Sequence, residues 1–159
     1  MGQPTFSSID RTAPGSGPET VATSAQPGPA VVISGITFSV ELALTPSQRA
    51  QGLSGQQSLA PGAGMLFIFE EEAPYTFWMK EMRFPLDLVW IGAQCTVVDI
   101  TRDAPPPAPG QTLDELTRYT PKTSAQFVLE INGGESESRG IREGDKVSFT
   151  GSLFGRYGC

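Results

Sequence analysis

Short apolar runs of strand length follow one another along this 159-residue chain, separated by turns rich in glycine and proline. The clearest runs are Met65–Phe69, Leu86–Ile91 and Gln126–Ile131, which are bounded by turn residues and too short for the helices of a bundle. Consecutive strands with short connections usually pair with each other. The pattern therefore predicts a mainly β fold built as an antiparallel meander.

A β-hairpin is predicted where Val31–Ile33 and Thr37–Leu42 flank the turn Ser34-Gly35. Because side chains alternate along a strand, three apolar residues of the second strand share the core face: Phe38, Val40 and Leu42.

Further strands are expected at Tyr75–Lys80 and Cys95–Ile100, with Glu70–Glu72 as a solvated turn before them. In the turn Gly144-Asp145, glycine supplies a positive φ and the aspartate accepts backbone N–H groups. Similar turns recur in small β-barrels. We expect a mainly β (α+β) fold with short helices, whose curved, mostly antiparallel sheet approaches a half-open barrel.

Helices are expected to be few and short. Thr45, Pro46 and Gln48 form a capping box with proline at the first helical position, which predicts a helix from Pro46 to Gln51, ended by Gly52. A second short helix is expected over 134–139, and a single turn at 113–116 within a long loop that spans 103–123.

Residues 1–30 are rich in Pro, Gly, Ser and Thr and show no apolar periodicity, so we expect a disordered linker there and a single domain over 31–159. A disordered linker normally connects a domain to another segment of the chain. We therefore expect a signal peptide or lipid anchor ahead of it, outside this sequence, and a periplasmic or cell-envelope location.

The composition excludes several classes of function. The net charge of −6 disfavours nucleic-acid binding, and no apolar stretch is long enough for a transmembrane helix. The chain has no histidine, so a Ser-His-Asp triad and a His-containing zinc site are impossible. We expect neither a metal site nor a cofactor.

The two cysteines are Cys95, inside an apolar run, and Cys159, the last residue. We expect one buried and one exposed free thiol. A disulfide between them is the alternative, which sequence alone does not settle.

The candidate site is the stretch from Phe77 to Asp87. On a strand, Phe77 and Met79 would face the core, while Trp78 and Lys80 would share the other face and offer an aromatic surface with a cation. An edge lysine beside a tryptophan is the alternative interpretation.

Asp87 interrupts an apolar strand, and a buried carboxylate is costly unless it is paired. Lys80 or Arg49 could be its partner in a structural salt bridge, or Asp87 could act on a ligand. Glu130 interrupts another apolar strand and could pair similarly. The ligand-binding candidates are Trp78, Lys80, Asp87 and Arg49, and none is assigned a catalytic role.

The chain resembles the DUF192 family, small bacterial and archaeal proteins of unknown function. The matching motifs extend over about residues 36–149: Phe38-x-Val40-Glu41-Leu42-Ala43, Thr45–Arg49, Gly52-Leu53, Gly64–Phe69, Phe77–Lys80, Pro85–Asp87, Val128–Glu130 and Gly140-Ile141 to Val147. The chain departs from the family pattern at Ser54, Glu81-Met82 and Gly92. The resemblance implies that export is common and implies no established reaction.

Three hypotheses of function remain. The first is a non-catalytic module of the cell envelope that binds a small polar molecule, sugar or peptide. The second is a carboxylate- or lysine-dependent hydrolase or lyase in which Lys80 and Asp87 shift each other's pKa. The third is an assembly protein that acts through the 103–123 loop.

Overall fold

The structure, a computed structural model, describes residues 27–159. Most of the predicted linker, residues 1–26, lies outside this part. The elements are β1 (Ala30–Ile33), β2 (Ile36–Ala43), α1 (Pro46–Gln51), β3 (Ala63–Ala73), β4 (Leu86–Ile91), β5 (Val97–Ala104), β6 (Ala125–Asn132), α2 (Glu135–Ser138) and β7 (Val147–Thr150), with single 3₁₀ turns at Leu113–Glu115 and Gly151–Leu153.

The seven strands form one mixed sheet in the order β5-β4-β6-β3-β2-β1-β7. The sheet curls into a half-barrel, which confirms the predicted fold class. Its two ends meet where Val97 N–H donates to Asp145 O and Val147 N–H donates to Cys95 O. These bonds partly close the barrel and leave less of the edge strands unpaired.

The predicted meander is wrong in its centre. The β1–β2 and β4–β5 hairpins form as expected. However, β3 pairs in parallel with β2 and antiparallel with β6, and β4 also pairs with β6. The long segment between β3 and β4 carries the chain across the sheet, so these consecutive strands are not neighbours.

Alternating side chains give the sheet an apolar cluster on each face. The inner face carries Phe38, Leu66, Val89 and Phe127, among others. The outer face carries a second cluster, which is packed against the segments that follow α1 and β3. Its larger members include Phe67, Leu88, Trp90 and Val128. In β2, Phe38 and Val40 are buried as predicted and Leu42 is half-buried.

Two local predictions between residues 70 and 80 are wrong. Glu70–Glu72 continue β3 as an exposed strand. Tyr75–Lys80 is irregular, and its regular pairing is limited to one bridge between Phe77 and Tyr119. The alternation of apolar residues here reflects packing on the outer face, where Met79 is buried and Phe77 half-buried, rather than a strand ladder.

The helix predictions are confirmed. The reciprocal capping box of Thr45 and Gln48 begins α1, and α2 and the turn at Leu113 also form. Gly144 has φ +92°, and Asp145 accepts a hydrogen bond from the Arg142 N–H, as the turn chemistry predicts.

The cysteines form a disulfide, so the expectation of two free thiols is wrong. After β7 the chain turns back through Gly151–Leu153, and Leu153 packs into the inner cluster. This return brings Cys159 to Cys95 in the turn between β4 and β5, with Cα atoms 5.4 Å apart.

Over residues 27–159, no helix is both long enough and apolar enough to cross a membrane.

Candidate functional site

The four predicted site residues do not form one cluster. Arg49 and Trp78 line the same cleft on the outer face of the sheet. Lys80 lines a neighbouring groove, with its ammonium 5.8 Å from the centre of the Trp78 ring. Asp87 is fully buried elsewhere.

Asp87 does not pair with Lys80 or Arg49, which corrects both predicted salt bridges. Its carboxylate accepts hydrogen bonds from the N–H groups of Asp103, Gly134 and Ser136 and from the Ser136 hydroxyl. By strand parity Asp87 lies on the face opposite Leu86 and Leu88, whereas Lys80 belongs to the segment that covers the face of those leucines. In this structure Asp87 joins β4 to the β5 end and to α2.

The cleft has a volume of about 250 Å³ and lies between α1, the loop after it and the outer face of the sheet. Five aromatic side chains contribute to its walls. Its lining includes Arg49, Gly52, Phe67, Phe69, Tyr75, Phe77, Trp78 and Glu130.

Arg49 is held at one side of the cleft. Its Nη1 donates to the carbonyl oxygens of Leu44 and Ile68, the latter at 3.1 Å. Its guanidinium lies 4.9 Å from the centre of the Phe69 ring. Among the described residues, Nε and Nη2 donate to no protein acceptor, so one edge of the guanidinium remains available.

The helix that carries Arg49 approaches the sheet closely because of Gly52. This residue has φ +48°, and a Cβ there would lie 3.1 Å from Cζ of Phe67. Glycine therefore lets the chain turn after α1 while it lies against the Phe67 ring.

The aromatic rings pack mainly on one another and on the protein's own cations. Phe69 stacks on Tyr75 at a centroid distance of 3.6 Å, and Phe77 meets both Phe67 and Trp90 edge-on. Phe69 is thus in contact with Tyr75 and with a guanidinium.

Trp78 forms the outer wall and keeps 36% of its surface exposed. The guanidinium of Arg118 lies 4.2 Å from the centre of its ring, closer than the ammonium of Lys80. The predicted proximity of Lys80 and Trp78 is therefore present, and Arg118 from the long loop joins them.

Glu130 is the acidic residue that lines the cleft, and sequence reasoning did not assign it to the site. It lies in β6 between Met65 of β3 and Leu88 of β4, and only 6% of its surface is exposed. Its carboxyl oxygens form no hydrogen bond or ion pair with any other described residue, and burial raises the pKa of Glu130 to about 8. The sequence signal was a carboxylate inside an apolar strand.

The chemistry available in the cleft is thus one guanidinium, one nearly buried carboxyl whose pKa is raised to about 8, a tyrosine and several aromatic surfaces. Across residues 27–159, no three His, Cys, Asp or Glu side chains are placed to hold a metal ion.

Solved structures share the fold. A protein of unknown function from Novosphingobium aromaticivorans DSM 12444 matches with a TM-score of 0.68 and 30% identity, over 92% of this chain and 99% of that one. A candidate transcription regulator from Sinorhizobium meliloti 1021 matches with a TM-score of 0.66 and 31% identity, over 78% of this chain and 92% of that one.

A UPF0127 protein from Thermococcus kodakarensis is 27% identical over 111 residues, which are 70% of this chain. The match spans 64% of the length of that curated relative. The family DUF192, described as Uncharacterized ACR, matches residues 30–149, and the chain therefore belongs to the DUF192 family.

Proposed function

We propose that this protein is a non-catalytic binding module of the cell envelope, which takes a small polar organic molecule into the aromatic cleft. The observation that carries the proposal is Glu130, a nearly buried carboxyl that lines the cleft and has no partner among the described residues.

A carboxyl that lines an open cleft and has no partner among the described residues can bond to the molecule that fills the cleft. Asp87 shows that this sheet can satisfy a buried carboxylate with four hydrogen bonds. Glu130 has no such arrangement. A ligand that bonds to it would supply the missing partner, as the few convergent polar groups of small-molecule pockets commonly do.

The size of the cleft supports a small ligand. Small-molecule pockets usually enclose about 300–1,000 Å³, and this cleft encloses about 250 Å³. A single sugar ring, an amino acid, an organic acid or one side chain of a peptide suits this volume.

The disulfide supports the location. The chain has two cysteines, and they pair with each other across 64 residues. Structural disulfides persist in oxidising compartments and are rare in reducing ones. The pairing therefore supports an envelope or extracellular location, in agreement with the linker expected from the sequence.

A second candidate, a carboxylate-dependent enzyme, is favoured by Glu130 alone. A carboxyl whose pKa is raised to about 8 could act as a general acid or base near neutral pH. The arrangement that first suggested an enzyme is not formed, because Lys80 and Asp87 do not meet. Binding is therefore the better supported function.

A ligand screen on the full chain tests the proposal. Sugars, amino acids, organic acids and cell-wall peptides would be added while tryptophan fluorescence and melting temperature are recorded. Trp90 is fully buried, so a ligand in the cleft should change mainly the Trp78 signal. A ligand that stabilises the protein but alters fluorescence equally in a Trp78→Phe variant would place binding elsewhere, and no binding across the screen would contradict the proposal.

Product analysis of the same mixtures separates the two candidates. A binding module returns every compound unchanged. Turnover that is lost in a Glu130→Gln variant would favour the enzyme instead.

A further inference from the structure

We propose that the ligand is a small organic carboxylate with an apolar body and a second polar group, whose carboxylate binds Arg49 while the second group bonds to Glu130. This inference rests on the proposed function, because it concerns the occupant of the same cleft.

The aromatic rings of the cleft disfavour a cationic ligand. Aromatic clefts often bind cations through the faces of their rings. Here Phe69 already has Arg49 on it and Tyr75 stacked against it, and Trp78 has Arg118 over its ring. Because the protein's own cations use these aromatic faces, a cationic ligand would meet repulsion, whereas an anion would meet attraction.

Arg49 also has the geometry for a carboxylate. Its Nη1 is bound to two backbone carbonyl groups, which fix the orientation of the guanidinium. Its Nε and Nη2 have no acceptor among residues 27–159. Adjacent N–H groups of an oriented guanidinium bind both oxygens of a carboxylate.

The sheet register sets the shape of the ligand. Arg49 is anchored to the carbonyl of Ile68, while Glu130 lies opposite Met65 on the neighbouring strand. Three residues along a strand span about 10 Å. Because these backbone positions are about 10 Å apart, we expect a ligand that reaches both groups to be elongated, with its apolar part against the rings between them.

The charge of Glu130 decides whether an anion is tolerated. The other charged or titratable side chains that line the cleft are Arg49 of α1 and Tyr75 of the segment after β3. Met65 and Leu88 flank Glu130 on β3 and β4, and Glu41, beyond Met65 on β2, is exposed. With its pKa raised to about 8, Glu130 is neutral at pH 6.5 and donates a hydrogen bond to a ligand oxygen. Above pH 8 its negative charge opposes an anionic ligand.

Three probes that share one ring and one hydroxymethyl group test the charge preference by calorimetry at pH 6.5: 4-(hydroxymethyl)benzoate, 1,4-benzenedimethanol and 4-(hydroxymethyl)benzylamine. We expect the benzoate to bind at least about tenfold more tightly than the diol, which corresponds to one charge-assisted hydrogen-bonded pair. The amine should bind most weakly. Arg49→Gln should abolish the preference for the benzoate, whereas Arg142→Gln, which removes an exposed arginine of the turn before β7, should leave it unchanged.

The pH dependence tests Glu130. Benzoate affinity should fall by about tenfold between pH 6.5 and pH 9 in the native protein. In Glu130→Gln it should stay constant, which also separates Glu130 from Tyr75. The matched control Glu137→Gln, an exposed position of α2, should behave like the native protein.

Each outcome has a defined meaning. Equal or tighter binding of the diol or the amine overturns the carboxylate inference and leaves the proposed function standing. If none of the three probes binds while compounds from the screen do, the carboxylate inference fails and the proposed function still stands. If neither probes nor screened compounds bind, both proposals fail.

Discussion

Asp87 and Glu130 both interrupt apolar strands of the same sheet, and they have different surroundings. Asp87 lies on the inner face and accepts four hydrogen bonds from the β5 end and from α2. Glu130 lies on the outer face between two apolar neighbours and lines an open cleft. The first arrangement stabilises the fold, and the second leaves a group available for a ligand.

Glu130 should make stability depend on pH. Its folded-state pKa of about 8 lies above the ordinary 4.5, so the folded protein binds the proton more tightly than the unfolded chain. This contribution is full below pH 4.5 and is lost as pH rises to about 8. Relative to Glu130→Gln, the native free energy of unfolding should fall by up to about 1.4 kcal/mol per pH unit in this window. Urea unfolding at several pH values measures this difference in the free energy of unfolding. The same pH dependence in the two proteins would contradict the raised pKa.

Replacing Asp87 should destabilise the fold strongly. Asp87→Ala leaves three backbone N–H groups and one hydroxyl without their acceptor, so we expect a loss of about 3–5 kcal/mol in the free energy of unfolding. Ser136→Ala removes one of these bonds and also the acceptor of the Arg102 Nη1 group, so it should cost about 1–2 kcal/mol.

Chemical denaturation of the two variants gives both values. If Asp87→Ala were no more destabilising than Ser136→Ala, the structural role assigned to this carboxylate would be wrong.

Sequence reasoning identified Arg49 and Trp78, which line one cleft, but it also paired Lys80 with Asp87. That pairing assumed that residues 75–80 form a strand beside β4. The sequence marked Glu130 as unusual. It could not place Glu130 in a cleft, because the cleft exists only where α1 and the 75–78 segment fold over the outer face of a sheet whose strand order is set by distant contacts.

At the scale of elements, β3 and β6 approach each other closely at Gly64. A Cβ at this position would lie 2.6 Å from the Glu130 carbonyl oxygen and 3.0 Å from Leu129 Cδ1. Backbone atoms cannot move aside cheaply, so Gly64→Ala should destabilise the protein by about 3 kcal/mol.

The matched control is Gly28→Ala, where a Cβ meets no atom within 4 Å. Thermal unfolding compares the two variants. Equal melting temperatures would show that β3 and β6 can move apart to fit the added Cβ without a loss of stability.

The strands and caps themselves were predictable because their signals are local. The alternation of apolar and polar residues predicted β2, and the capping box of Thr45 and Gln48 predicted α1. The parallel pairing of β2 with β3 was not predictable, because both partners carry apolar runs that fit either direction. The Tyr75–Lys80 segment was mistaken for a strand because packing of Phe77 and Met79 on a sheet mimics strand alternation.

At the scale of the whole molecule, the disulfide ties the C-terminal segment to the turn between β4 and β5. The sequence offered both free thiols and a disulfide, and only the return of the chain after β7 decides between them. Cross-linking residues 64 positions apart restricts the unfolded chain, so Cys159→Ser should lower the free energy of unfolding by about 2–4 kcal/mol.

Guanidinium chloride unfolding of the native and Cys159→Ser proteins measures this loss. Mass spectrometry after alkylation of the unfolded, unreduced protein should find no modified thiol. Two alkylated cysteines in protein purified without reductant would contradict the pairing.

The half-barrel as a whole supplies the surface on which the cleft is built. Its inner cluster is enclosed by the curled sheet, while the outer cluster is covered by irregular segments that leave a cleft beside α1. We therefore expect this protein to bind its ligand on the outer face, in the cleft over Glu130.

Backbone amide chemical shifts of the ¹⁵N-labelled full chain, recorded as a ligand from the screen is added, show where that ligand binds. We expect the largest changes at the cleft, at Gly52, Phe77, Trp78 and Glu130, and we expect them to be lost in Arg49→Gln while the fold is retained. Saturable changes centred on another surface, with the cleft amides unmoved, would contradict it.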